Sequence, residues 1–285
     1  MLYGFARCVA IMPRFVRYYI LEEIIYFILQ YVVRYRRKVV LTNLRNAFPE
    51  KSDKEISKIA ARCNRNLAEQ MINTLSVAGI SPERLKRYQT VVNIEEYRKA
   101  VAGRDVILLA GHYGSWEYHT SIAQHAPEQM IMSIYHPLNN SVMDEFFKRV
   151  RKMDNTVLVP RDESLRYFLK NRGGEKNIAM GLIADQNPYQ YKDSHWFTFL
   201  NQDTIFAEGG EQLARKFKLP VWFAASRLRR RGEYECVMIE LYDGNSPIEE
   251  HVITERYIRE LEKCIVERPE LWLWSHRRWK AKKEK

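Results

Sequence analysis

The aliphatic run Ile107-Leu108-Leu109-Ala110 passes directly into Gly111-His112-Tyr113-Gly114-Ser115-Trp116-Glu117. The run reads as a buried strand, the two glycines permit a sharp turn, and the segment after Trp116 can begin a helix. His112 then sits at a strand's C-terminal end, where the loops of α/β folds favour active sites. A neutral imidazole there can take a proton from a hydroxyl, and a nearby carboxylate can fix its tautomer and stabilise the imidazolium that forms. No Gly-x-Ser-x-Gly elbow is present, so the hydroxyl to be activated belongs to a substrate rather than to an enzyme serine. The same residues also suit a structural histidine followed by Glu117 as a first-turn helix carboxylate. Spacing alone leaves both readings open.

The flanking chain supplies the rest of an α/β pattern. Strands are predicted over residues 105–110, 130–135, 156–159, 178–183, 221–226 and 236–241, with helices between most of them at 141–153, 164–169 and 206–217. A helix over 52–75 opens on a capping-box signature, Ser52-Asp53-Lys54-Glu55, another follows Ser81-Pro82, and a late helix covers 257–266. This alternation predicts an α/β fold, a mixed and mainly parallel sheet sandwiched by helices. Without repeats or a long linker, the chain divides into an N-terminal helical region and connector, 1–50, and one catalytic domain, 51–285.

At 285 residues and 46% hydrophobic content the chain can bury a sizeable core and is not disordered. Its 46 Lys+Arg against 35 Asp+Glu leave a formal net charge of +11, which implies an anionic partner: nucleic acid, an acidic carrier protein or an anionic membrane surface. The basic residues are scattered rather than striped with aromatics, and no DNA or RNA motif is present, which argues against nucleic acid. Cys8, Cys63, Cys236 and Cys264 lie far apart, as reduced thiols would, and no spacing resembles a metal site. His119 and His125 therefore read as structural or surface residues. The cluster Arg227-Leu228-Arg229-Arg230-Arg231 reads as a solvated turn that closes a hairpin at Gly232, or as a surface for anionic headgroups or carrier protein. The basic tail over residues 277–285 has the same two readings, and Trp272, Trp274 and Trp279 suit either core packing or a membrane interface.

Residues 18–33 are strongly apolar, but Glu22 and Glu23 interrupt them and the run falls short of the roughly 20 residues that span a bilayer. Arg14, Arg17, Arg34, Arg36, Arg37 and Lys38 flank the run, and five tyrosines lie within 18–35. The pattern fits a helix lying in a membrane interface. It fits equally an ordinary core helix with snorkelling arginines.

Four blocks in order resemble the lipid A biosynthesis acyltransferases, the late lauroyl and myristoyl transferases. They are Asn43-Leu44-Arg45-Asn46-Ala47-Phe48-Pro49-Glu50 with the preceding Arg36-Arg37-Lys38-Val39-Val40; His112 to Glu117; Ala184-Asp185-Gln186; and Pro269-Glu270-Leu271-Trp272-Leu273-Trp274-Ser275-His276-Arg277-Arg278-Trp279-Lys280. The resemblance implies a glycerophosphate-acyltransferase-like fold with a membrane-associated N-terminus. It also implies acyl transfer from an acyl carrier protein thioester to a hydroxyl of a lipid A precursor, at the cytoplasmic face of a bacterial inner membrane. No cofactor or metal is expected. Acyl carrier protein and anionic membrane lipids are the expected partners, and a phospholipid or amino-acid lipid remains an alternative acceptor.

The resemblance also assigns roles. His112 would be the general base and Glu117 would orient and support its imidazole. Arg149 would contact a phosphate or the developing oxyanion, although by itself it reads as a solvated helix cation. Asp185, just after an apolar strand, would be a site residue or else a turn cap. The chain departs from the family at Tyr135-His136-Pro137, where an arginine is usual. His136 would therefore bind acceptor groups more weakly at neutral pH.

Overall fold

The computed structural model describes residues 2–188 and 194–283. Nine strands lie among them: β1 (Gln89–Val91), β2 (Val106–Ala110), β3 (Gln129–Tyr135), β4 (Thr156–Pro160), β5 (Asn177–Ile183), β6 (Trp196–Phe199), β7 (Gln202–Ile205), β8 (Val221–Arg230) and β9 (Glu233–Tyr242). Seven form one sheet in the order β1-β9-β8-β2-β5-β3-β4, and β6 and β7 pair separately as an antiparallel hairpin. Within the large sheet only β8 and β9 pair antiparallel among the described residues.

The period-2 alternation of a strand explains why β2 is apolar throughout. Ile107 and Leu109 enter one core with Met180, Phe223, Tyr257 and Leu261. Val106 and Leu108 enter the other with Tyr97, Ile122, Phe146 and Trp222. The first face is covered by the Gly209–Phe217 and Val252–Glu267 helices and the second by the Ile94–Ala100 and Ser141–Arg151 helices. A central strand with both faces covered has no position for a polar side chain until the chain leaves the sheet.

The long helix Asp53–Val77 begins where the sequence places it. Ser52 accepts from the Glu55 backbone N–H and donates its own N–H to the Glu55 carboxylate, completing the capping box. The hairpin also turns at Gly232, whose φ of +73° suits glycine. The arginine cluster before it is not a loop, however, because β8 runs on to Arg230. Arg227 stands opposite Glu235 and Arg230 opposite Glu233, so cross-strand charge pairs carry the strand through residues that composition alone assigns to a turn. The short β1 and the β6–β7 hairpin lie outside the strands that the sequence pattern predicts.

The N-terminal segment is helical over residues 14–32, with wider π turns at Arg17–Leu21 and Ile28–Val32. The core-helix reading holds for one face of this segment. Arg17, Tyr18 and Glu22 are buried: Arg17 donates to Ser76 and Tyr88, Tyr18 to Asn73, and Glu22 accepts from Arg231. Phe15, Tyr19, Ile24, Phe27, Tyr31 and Val32 face outward and are exposed. No described helix is long and apolar enough to cross a membrane. Trp272 and Trp274 are buried in the first core and Trp279 packs against it. The last two residues of the basic tail lie outside the described residues.

Candidate active site

The register of two neighbouring strands brings His112 and Asp185 together. Ala110 of β2 pairs with Ile183 of β5, and the ladder continues one step through the Ala184 N–H to the Ala110 carbonyl. Both chains then leave the sheet at the same edge, the C-terminal edge where α/β sheets build their sites. The Asp185 carboxylate accepts the His112 backbone N–H at 2.9 Å and the Nδ1–H at 2.7 Å. Trp272 Nε1–H donates to the same carboxylate at 2.8 Å. Asp185 is 1% exposed. Burial pushes its pKa up, but the His112 charge and the hydrogen bonds from His112 and Trp272 outweigh that and hold the carboxyl below its usual range.

An ionised carboxylate can only accept, so the shared proton sits on Nδ1, and in the neutral form of the ring it is Nε2 that carries the free lone pair. Gln186 Nε2 lies 3.2 Å from that lone pair. The Trp116 ring stands edge-on to the imidazole, 5.3 Å between centroids.

The loop is clamped from a distant part of the chain. Gly114 N–H donates to Leu271 and Leu273 N–H donates to the His112 carbonyl, while Tyr257 hydroxyl donates to the Ala110 carbonyl. Gly114 itself has φ +62°, and a Cβ there would lie 2.9 Å from Ser226 Cβ. His276 belongs to the same clamping segment. Burial lowers its pKa to about 4 although Asp185 acts in the opposite direction, so it stands neutral beside the pair.

Glu117 does not orient the imidazole. Both of its oxygens are taken by Arg151, whose Nε–H donates at 2.9 Å and whose NH2 group donates at 2.6 Å. The turn that carries Glu117 is a 3-10 helix, Trp116–Ser121, which brings the carboxylate to the C-terminal end of the Ser141–Arg151 helix. The nearest sequence carboxylate thus lost the imidazole to one 73 residues away, because strand adjacency rather than loop spacing decides what faces Nδ1. Arg149 is likewise not at the site: it donates to Glu145 on the helix surface, and its side chain is 57% exposed against 27% for Arg151. Two residues along a helix point to different faces, so the basic residue that reaches the site is Arg151. His136 is exposed one residue beyond β3. His119 contacts Gln89 and lines the same cavity as Trp116 and Glu117, and His125 contacts the Gln89 carbonyl.

Glu117, Arg151 and Trp116 border a cavity of about 120 Å3. Its other walls are largely apolar: Leu108 and Ala110 of β2, Ile131 and Ile134 of β3, Leu182 and Ile183 of β5, and Ile122. The opening has a simple cause in the register. Leu108, Gly181 and Ser133 lie side by side across β2, β5 and β3, and glycine at the centre leaves space where a side chain would otherwise stand. The site therefore combines an oriented base, a half-buried ion pair and an apolar recess. Among the described residues no cluster of His, Cys, Asp or Glu could hold a metal.

A profile described as "Bacterial lipid A biosynthesis acyltransferase" matches residues 1–281. The chain is 24% identical over 251 residues to the lipid A biosynthesis palmitoleoyltransferase of Escherichia coli K12, covering 87% of this chain and 79% of that protein. A lipid A biosynthesis acyltransferase of Shigella flexneri matches to the same extent. The lipid A biosynthesis lauroyltransferase of E. coli K12 is 24% identical over 257 residues, covering 87% of this chain and 80% of that protein. Matched almost from end to end, the chain belongs to the bacterial lipid A biosynthesis acyltransferase family.

Proposed function

We propose that the protein is a membrane-associated O-acyltransferase that moves a fatty acyl chain from an acyl carrier protein thioester to a hydroxyl of a lipid A precursor. The observation that carries this reading is the His112 imidazole, held by a buried carboxylate and in contact with Trp116, whose ring also borders an apolar cavity. The family supports the reaction class, and its relatives' names supply the acceptor class.

In the reaction, His112 Nε2 takes the proton of the acceptor hydroxyl while the oxygen attacks the thioester carbonyl. The tetrahedral oxyanion collapses with loss of the C–S bond, and the imidazolium returns its proton to the leaving thiolate. Asp185 keeps Nδ1 protonated throughout and stabilises the imidazolium, a contribution of roughly 10²–10⁴-fold for acid–base catalysis. Arg151, fixed by Glu117 at the cavity wall, is the cation available to the thioester oxygen as charge develops. The apolar cavity takes the acyl chain, and His136, next to Tyr135 of the cavity wall, contacts the acceptor's polar head.

Membrane association falls to the outward face of the N-terminal helix. Phe15, Tyr19, Phe27 and Tyr31 offer rings at headgroup depth, and the net charge of +11 favours anionic lipid and the acidic carrier protein. The test is incubation of the purified protein with an acyl carrier protein thioester and a lipid A precursor, followed by lipid mass spectrometry. A product heavier by one acyl group supports the proposal. Turnover of the thioester with no acylated lipid, or acylation of phospholipid alone, overturns the acceptor.

A further inference from the structure

In this structure the lone pair that must receive the acceptor's proton is already occupied. Asp185 holds the proton on His112 Nδ1, so the Gln186 amide 3.2 Å from Nε2 is a donor capping the base. Gln186 follows Asp185 directly, so the chain segment that orients the imidazole also covers its reactive nitrogen. His112 is 19% exposed at its side chain, and water can reach it. An uncovered neutral imidazole beside a bound thioester would activate water as readily as an acceptor hydroxyl, giving free fatty acid and thiol: the water proton goes to Nε2, its oxygen joins the acyl carbon, and the C–S bond breaks.

We infer that Gln186 is a positioning residue that caps the catalytic base until an acceptor displaces it, and so favours transfer over hydrolysis. This rests on the acyl-transfer reading above. An acceptor lipid, held by its other contacts, can exchange its hydroxyl for the amide; a lone water gains one hydrogen bond and loses the same, with nothing else to hold it. Gln186 has a side chain long enough to swing away after displacement, being half-buried rather than locked in the core.

The test uses the full-length protein with a long-chain acyl carrier protein thioester, with and without a lipid A precursor, measuring free acid and acylated lipid in the same reaction. Gln186→Met keeps the length and removes the donor. It should raise the ratio of hydrolysis to transfer roughly 2- to 10-fold, the size of one net neutral hydrogen bond, and lower the apparent KM for the acceptor. Gln186→Asn, too short to reach Nε2, should act in the same direction and serves if the methionine variant folds poorly. An unchanged ratio in both variants, or hydrolysis and transfer falling together, overturns the capping role. His112→Ala and the wild type separate the two proposals: loss of both products in His112→Ala with an unchanged Gln186→Met ratio removes only the cap, persistence of both products in His112→Ala removes His112 as the base and the cap with it, and absence of acylated lipid from the wild-type reaction removes the acyl-transfer reading.

Discussion

Asp185 binds His112 twice, through its backbone N–H and through Nδ1–H, at 2.9 and 2.7 Å. The carboxylate thus fixes where the loop lies as well as which nitrogen is protonated. Asp185→Asn retains the shape but offers an amide that can satisfy the opposite tautomer, which would put the proton on Nε2 and remove the base. Turnover should fall roughly 10²–10⁴-fold while the unfolding temperature changes less than in Trp272→Ala, which empties a core position. Glu117→Gln should leave the ionisation step of the pH–rate profile in place, since Glu117 does not touch the imidazole. A profile altered by Glu117→Gln and not by Asp185→Asn would reverse these assignments.

Arg149 and Arg151 give the second test. Arg151→Ala leaves the Glu117 carboxylate, 5% exposed, without its bidentate partner, and breaking a buried pair in this way costs about 3–5 kcal/mol. Arg149→Ala removes an exposed i,i+4 pair and an exposed contact with the Tyr3 ring, and should change stability by no more than about 1 kcal/mol. Chemical denaturation and turnover of the two variants, side by side, give the comparison. Arg151→Lys keeps charge but not the fork, and should recover only part of the loss.

How far the site could be read from sequence follows from these pairs. The β2 strand and the loop after it were legible because an apolar run ending on Gly111-His112 is a local signal, and so was the Ser52 capping box. The partner of Nδ1 was not, because it depends on β2 and β5 being neighbours, a fact of sheet order that no spacing encodes. The choice between Arg149 and Arg151 turned on which helix face meets Glu117, and both lie in a run of basic residues with no periodic marker. Gln186 and the clamp at Leu271 and Leu273 lie far along the chain from the loop they hold. The β8 arginines misled because their cross-strand glutamates become visible only once the hairpin register is known.

Gly181 controls the cavity. A Cβ there would meet nothing closer than the Met132 carbonyl oxygen at 3.8 Å, so the backbone accepts a side chain and the recess loses volume instead. Gly181→Val, well suited to a strand, should fold and should shift transfer towards shorter acyl chains, read by mass spectrometry of products from mixed thioesters. An unaltered chain-length profile would show that the acyl chain lies elsewhere.

The outward face of the N-terminal helix can be tested without disturbing its buried face. Deleting the segment would also remove Arg17, Tyr18 and Glu22 from the fold, so polar substitution is the cleaner experiment. Phe15, Tyr19, Phe27 and Tyr31 changed together to Gln should weaken sedimentation with anionic vesicles while leaving thermal unfolding close to wild type, since all four are more than half exposed. Vesicle binding that survives the four changes would move the contact to another basic surface.

The buried face of that helix carries a pH dependence of its own. Burial, reinforced by Glu69 and opposed by Arg231, raises Glu22 from its usual value of 4.5 to about 7. Between those values the folded protein holds a proton that the unfolded chain has released, so stability falls as pH rises through this window, by at most about 1.4 kcal/mol per pH unit. Above about 7 both states are ionised at this position and its contribution levels off. Asp185, whose pKa is lowered, acts in the opposite sense and lower on the scale, losing its stabilisation as pH falls through its folded value. Glu22→Gln should therefore flatten the decline in unfolding temperature between about pH 5 and 7 and leave the acid limb intact. Parallel curves for wild type and Glu22→Gln across that interval would mean that Arg231, which also pairs with Glu23, already keeps Glu22 ionised there.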